Sequence, residues 1–210
     1  MSATVTVGID AGPVERTRAD VAVVFFFESD RPLRGGAGRA DWRLCGQISR
    51  LILSGKLTGA AGEAVLIPTG GGLAAPLLVG LGLGPCNRFD TDACEALGRE
   101  AVDRARRLSA RTVALPLPDP HAGDLDLRER VDAILCGAIG ALVDLSVDIR
   151  LRLVAPPAEA KRAQQVLTSL APKHRSSSVT LRLEAQPARG STRSPQGASG
   201  YSTGRSQLIK

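Results

Sequence analysis

Aromatic side chains are scarce, with four Phe, one Trp and one Tyr among 210 residues. A core built from this chain must draw mainly on Leu, Val, Ile and Ala. Long apolar runs are missing as well. The longest, VAVVFFF at 21–27, is strand-sized and stops at Glu28, whereas a helix crossing a bilayer needs roughly 20 such residues. The opening MSATVTVGID has neither the basic segment nor the apolar stretch of a secretory leader. Together these absences imply a cytoplasmic protein.

Histidine is nearly absent, with only His121 and His174. Each falls among loop residues, and the two are far apart along the chain. The four cysteines, Cys45, Cys86, Cys94 and Cys136, form no C-x-x-C pair. A zinc site asks for more ligands at usable spacing, so no metal and no cofactor is expected. Three of the thiols fall in predicted helices and are read as small hydrophobes, and a cytoplasmic location disfavours disulfides. Nucleophilic chemistry lacks parts too. There is no G-x-S-x-G, and a Ser or Cys nucleophile would have to find its base among two histidines. The expectation is a protein that is not an enzyme.

The length suits one well-buried domain and is tight for two. The net charge of +6 is not spread evenly. From Lys173 onward there are seven Lys or Arg and one acid, while residues 1–172 hold 20 of each sign. The body therefore offers no electrostatic case for nucleic acid. Residues 185–210, AQPARGSTRSPQGASGYSTGRSQLIK, are rich in Ser, Gly, Pro and Arg with little to bury, and read as a disordered basic tail. Four charges there are few for a nucleic-acid arm, which would interleave more Arg, Lys or aromatic platforms.

Residues 1–184 show hydrophobic periods that alternate between strand and helix. Strands are predicted at 4–9, 20–28, 64–68, 76–81, 112–118, 148–154 and 178–184, the last near an edge. SDRPLRGGAGRA (29–40) reads as a loop, with Asp41 as N-cap of a helix over 42–53. TGGGLAA (69–75) joins two strands in a loose hairpin. Asp90 caps a helix lined by Ala93, Leu97, Ala101, Ala105 and Leu108. Asp126 and Glu129 have capping-box spacing, and Pro157 opens a helix where its missing N–H costs nothing. The pattern is an α/β fold with a largely parallel sheet, made mixed by the hairpin.

Two glycine clusters are candidate ligand loops. PLLVGLGLGP (76–85) carries Gly80, Gly82 and Gly84 at a strand end. Its G-x-G-x-G spacing, the proline at Pro85 and a helix delayed to about Thr91 depart from the dinucleotide fingerprint. No P-loop G-K-[ST] exists. GGAGRADW (35–42), whose glycines lie between Arg34 and Arg39, has backbone N–H groups suited to an anion, but reads more simply as a turn. The carboxylates Asp90, Asp92 and Glu95 fall at a helix start, where they complement the dipole.

From about Ala19 to Pro118 the segments resemble the N-terminal domain of the leucyl aminopeptidase (M17 peptidase) family. ADVAVVFFF (19–27), DWRLCGQISRLILSGKLTGAAGEAVLIP (41–68), LLVGLGLG (77–84) followed by Phe89 and ALGREAVDRAR, and TVALPLP (112–118) carry the likeness. The resemblance implies a three-layer, macro-domain-like α/β fold that does not perform the peptidase chemistry. In the family the two metals sit in a larger C-terminal domain with an NTDAEGR signature. DTDACEALGR (90–99) echoes that signature but lacks its Asn and places Cys94 before Glu95, so no metal ligands carry over. The family uses this domain for assembly and regulation, and in some members for DNA contact.

The leading expectation is a stand-alone, non-catalytic binding or regulatory protein acting through protein–protein contacts, with a peptidase as the candidate partner and self-association as a further option. A second reading is a macro-like binder of nucleotide or ADP-ribose ligands through the loop of Gly80, Gly82 and Gly84. A third is nucleic-acid binding through the tail.

Overall fold

The computed structural model describes residues 3–119, 124–143, 145, 147–174 and 179–184. His121 and the tail from residue 185 lie outside them. Seven strands form one mixed sheet: β1 (Ala3–Ala11), β2 (Val21–Phe26), β3 (Ala64–Pro68), β4 (Leu77–Gly82), β5 (Thr112–Pro116), β6 (Asp148–Ala155) and β7 (Val179–Leu183). Their order across the sheet is β3-β4-β2-β5-β6-β1-β7. Only the β3–β4 pair is antiparallel; the pairs β4–β2, β2–β5, β5–β6, β6–β1 and β1–β7 are parallel. The hairpin therefore supplies one edge and β7 the other.

Five helices cover the sheet: α1 (Gly35–Arg43), α2 (Gln47–Leu53), α3 (Thr91–Arg107), α4 (Leu127–Gly140) and α5 (Pro157–Leu170). The pleat of β2 assigns the layers, because successive side chains leave on opposite faces. Val21 and Val23 pack with Leu97, Ala101, Ile134, Leu135 and Leu167 under α3, α4 and α5. Ala22, Val24 and Phe26 pack with Ala37, Ala40 and Ile48 under α1 and α2. Burial on both faces explains why VAVVFFF is continuously apolar instead of alternating. The result is a three-layer fold.

The predicted caps form. Asp90 accepts from the Ala93 N–H at 2.9 Å, and the Asp126–Glu129 capping box closes with both bonds at 2.8 Å. Pro157 is the first residue of α5.

One expectation fails. The stretch read as a loop before Asp41 is helical from Gly35, and the predicted single helix is two, broken at Cys45 and Gly46, both at positive φ. Asp41 lies in the last turn of α1 and caps α2 from there. Its carboxylate accepts from Ile48 N–H at 2.7 Å, Ser49 N–H at 3.1 Å and the Ser49 hydroxyl at 2.5 Å. Glycine is a poor helix former, yet Gly38 has a reason to be there: a Cβ would meet the Leu33 carbonyl oxygen at 2.6 Å.

Candidate functional site

Parallel strands end together, so the loops leaving β1, β2, β5 and β6 converge at one rim of the sheet. From β2 the chain turns toward α1 on one face; from β5 it turns toward α4 on the other. Ligands of open α/β sheets occupy the crevice at such a divergence. Here it holds a cleft of about 700 Å³. One wall is apolar, from Phe25, Phe27, Pro116, Leu117 and Val154. Phe89 meets Phe27 edge-on at 5.5 Å between centroids, which fixes the ring from behind.

The start of α1 forms the facing wall, through Arg34, Gly35, Gly36 and Ala37. Its first intrahelical bond runs from Gly38 N–H to the Arg34 carbonyl at 2.9 Å. The N–H groups of Gly35, Gly36 and Ala37 precede that bond, and no side chain caps them. Such N–H groups, with the positive end of the helix dipole, attract anions. Gly35 has φ of 54° and open space where a Cβ would stand, so its small size keeps this corner accessible.

Charges at the rim are mixed. Arg39 donates from Nε to both oxygens of the buried Glu15, at 3.1 and 3.2 Å. Asp30 accepts from the Phe27 N–H at 2.9 Å, and exposed Arg34 lies next to the α1 N–H groups. Behind the 116–119 wall, buried Arg130 donates to the Pro118 carbonyl at 2.5 Å and to the Asp126 carbonyl at 3.3 Å. Its Nη2 stands 3.9 Å from Glu159, whose side chain also lines the cleft.

Gly80, Gly82 and Gly84 do not line this cleft. Gly82 and Gly84 serve the loop at 59–63 instead, while Gly80 faces Val65 across the β3–β4 hairpin, where a Cβ would meet the Val65 side chain at 2.9 Å. A Cβ on Gly82 would be driven into the Ala60 carbonyl oxygen and lie 2.6 Å from Gly59 C. Gly82 N–H donates to the Glu63 carbonyl and Gly84 N–H to the Gly59 carbonyl, each at 2.8 Å. Close backbone approach is why glycine stands there. The second cluster, read as a simple turn, is the one that borders the cleft. Sequence reasoning missed Gly12, Phe25, Phe27, Pro116 and Glu159; the signal available was that each lies at or just beyond a parallel strand's C-terminal end.

The cysteines separate by environment. Burial pushes the Cys94 thiol up to about 12, against the lowering influence of Arg130, and Cys94 sits in the core as expected. Cys45 is exposed, while Cys86 and Cys136 are half-buried, so core packing does not account for all four. Asp132, Cys136 and His174, none of which lines the cleft, each offer a donor atom within 4.8 Å of the others.

Comparison with known proteins decides the family. The model for the cytosol aminopeptidase family, N-terminal domain, matches residues 23–142. The chain belongs to that family. A probable cytosol aminopeptidase of Streptomyces griseus is 35% identical over 111 residues, which cover 51% of this chain and 22% of that protein. A tomato leucine aminopeptidase mutant superposes with a TM-score of 0.58 at 17% identity, over 78% of this chain and 35% of the other. A Trypanosoma brucei macrodomain in complex with ADP gives 0.62 at 15% identity, over 77% and 68%. The N-terminal-domain resemblance and the macro-domain-like three-layer fold are therefore both found. The chain spans about a fifth of the length of the curated aminopeptidase and about a third of the tomato one. Among the described residues no helix is long and apolar enough to cross a membrane.

Proposed function

We propose that this chain is a non-catalytic binding domain whose cleft takes a phosphorylated small molecule of the nucleoside diphosphate class, such as ADP or ADP-ribose. The observation that carries it is the glycine-rich, uncapped start of α1 opening into a 700 Å³ cleft at the C-terminal rim of the sheet. The N–H groups and Arg34 suit a pyrophosphate; Phe25, Phe27, Pro116 and Leu117 suit the base and sugar. The volume falls in the range of small-molecule sites, roughly 300–1,000 Å³. The Trypanosoma brucei macrodomain in complex with ADP shares the fold and supports the reading by analogy of fold. Calorimetry with ADP, ADP-ribose and pyrophosphate tests it. Binding of at least one, weakened about tenfold or more by Arg34→Glu, is expected; absence of heat with all three overturns it. Hydrolysis of leucyl substrates with Zn²⁺ or Mn²⁺ would overturn the non-catalytic part.

A second reading, contact with a protein partner such as an aminopeptidase, is favoured by a separate observation. Trp42 and Leu53, on α1 and α2, are 81% and 87% exposed. An exposed Trp beside a shallow hollow formed with Pro32, Leu33 and Cys45 is the kind of anchor that dominates interfaces. Sedimentation of the chain with a full-length family member, with and without Trp42→Ala and Leu53→Ser, distinguishes this from the cleft, because Arg34→Glu leaves it unchanged.

A further inference from the structure

We infer that Asp132, Cys136 and His174 form a binding site for one divalent transition-metal ion of the zinc class. The site is independent of the cleft. α5 begins at the cleft with Pro157 and ends at Leu170, and 14 helical residues at 1.5 Å each put its far end roughly 20 Å away.

The geometry follows from two helices and a turn. Asp132 and Cys136 are four apart on α4, so they share one face. α5 packs beside α4, and the turn after it brings His174 back over that face. Its N–H donates to the Leu170 carbonyl at 3.4 Å. The ring is buried, with Nε2 2.5 Å from Asp132 Oδ1. The three donor atoms lie within 4.8 Å of one another. Ligands around a tetrahedral zinc, with bonds of about 2.0–2.3 Å, stand roughly 3.3–3.7 Å apart. A cation between them therefore parts the His–Asp contact and draws the thiol in.

Donor chemistry narrows the ion. Imidazole nitrogen, thiolate sulfur and one carboxylate oxygen suit zinc and neighbouring first-row metals and poorly suit Mg²⁺ or Ca²⁺. A buried histidine satisfied by a carboxylate needs no thiol; Cys136 is the third donor that such a pair leaves unexplained. Lys173 Nζ holds the other carboxylate oxygen, Asp132 Oδ2, at 2.5 Å. That contact orients the carboxylate and leaves Oδ1 for the ion, as outer partners of metal ligands do. Asp132 and Cys136 are half-buried, so water reaches a fourth position.

Optical titration of the full, reduced chain with Co²⁺ tests the site. A thiolate-to-cobalt charge-transfer band saturating at one equivalent, displaced by Zn²⁺, is expected. Cys136→Ser should abolish the band and His174→Gln should weaken binding at least tenfold, while Cys45→Ser, Cys86→Ser and His121→Gln leave both unchanged. No band, or a band that survives Cys136→Ser, overturns the site. An arm without substitutions guards against misfolding: Zn²⁺ should slow alkylation of Cys136, read by peptide mass spectrometry, without slowing that of Cys45. Equal Cys136 rates with and without Zn²⁺ overturn the inference as well.

Discussion

Replacing Gly137 by Ala should destabilise this domain, although the same change in an isolated helix would stabilise it. In a helix interior Ala is favoured over Gly by about 1 kcal/mol. Gly137 lies in α4 where α3 crosses it, and an added Cβ would be driven into the Glu95 carbonyl oxygen. It would also reach Arg99 N at 2.8 Å and Glu95 C at 2.9 Å. All three are backbone atoms of α3, so no rotamer relieves the clash; the helices must part. The opposing surface is equally tight, because a Cβ on Gly98 of α3 would strike the Ile134 carbonyl oxygen of α4. Overpacking costs typically 1–3 kcal/mol and sometimes more. With a rigid obstacle the upper figure applies, leaving a net loss of about 2 kcal/mol after the propensity gain. For a domain this size that lowers Tm by roughly 4–8 °C. Gly140→Ala is the internal control. Its Cβ meets only the end of the Arg99 side chain, at 3.1 Å, which can swing aside. It should be neutral or stabilising by up to about 1 kcal/mol. Urea unfolding of the two variants beside the native chain measures both. If Gly137→Ala matches or exceeds the native stability, close α3–α4 backbone contact is refuted.

Glu63 offers a pH test of the loop that Gly82 and Gly84 accommodate. Burial works to raise its carboxyl, but the N–H groups of Thr58 and Gly59 and the Thr58 hydroxyl outweigh it and hold it below the ordinary value of 4.5. A depressed folded pKa gives stability that is present above the unfolded value and lost as pH falls through the folded one. The stability gap between native and Glu63→Gln chains should therefore be open at pH 7 and close progressively below about pH 4.5, read by urea unfolding across pH. Asp41→Ala should cost about 2 kcal/mol, since three donors lose a buried acceptor. Asp126→Ala, an exposed cap, should cost about 1 kcal/mol, and thermal melts of the two rank them.

The parts of the fold that local chemistry dictates were legible in the sequence. The caps at Asp90 and Asp126, the Pro157 helix start and the TGGGLAA hairpin each rest on a few adjacent residues, and each stands where its chemistry puts it. The segment Gly35–Arg43 was not legible. Three glycines in nine residues argue against a helix by propensity, and what overrides it is tertiary: Ala37 and Ala40 bury against β2, and Gly38 admits the Leu33 carbonyl. Propensity lost to packing at the place where the helix start opens into the cleft.

The two glycine clusters make the same point about sites. Gly80, Gly82 and Gly84 stand out in the sequence as a candidate ligand loop at a strand end, yet Gly82 and Gly84 meet the loop at 59–63 and Gly80 faces Val65 across the hairpin. Gly35 and Gly36 follow a loop and reach the rim only because β2 is central and parallel to both neighbours. Whether a glycine turn faces a ligand is set by strand order, which spacing along the chain does not encode. The Asp132–Cys136–His174 cluster depends on order in the same way. The pair on α4 has helical spacing and could be noticed in the sequence, but His174 joins it from 38 residues beyond Cys136. It does so only because α5 packs beside α4 and the turn after α5 ends against that face. Two histidines argue against a metal site when each is weighed by its neighbours in sequence. The fold sets His174 beside a carboxylate and a thiol that share a helix face, and the proposed metal site rests on that juxtaposition.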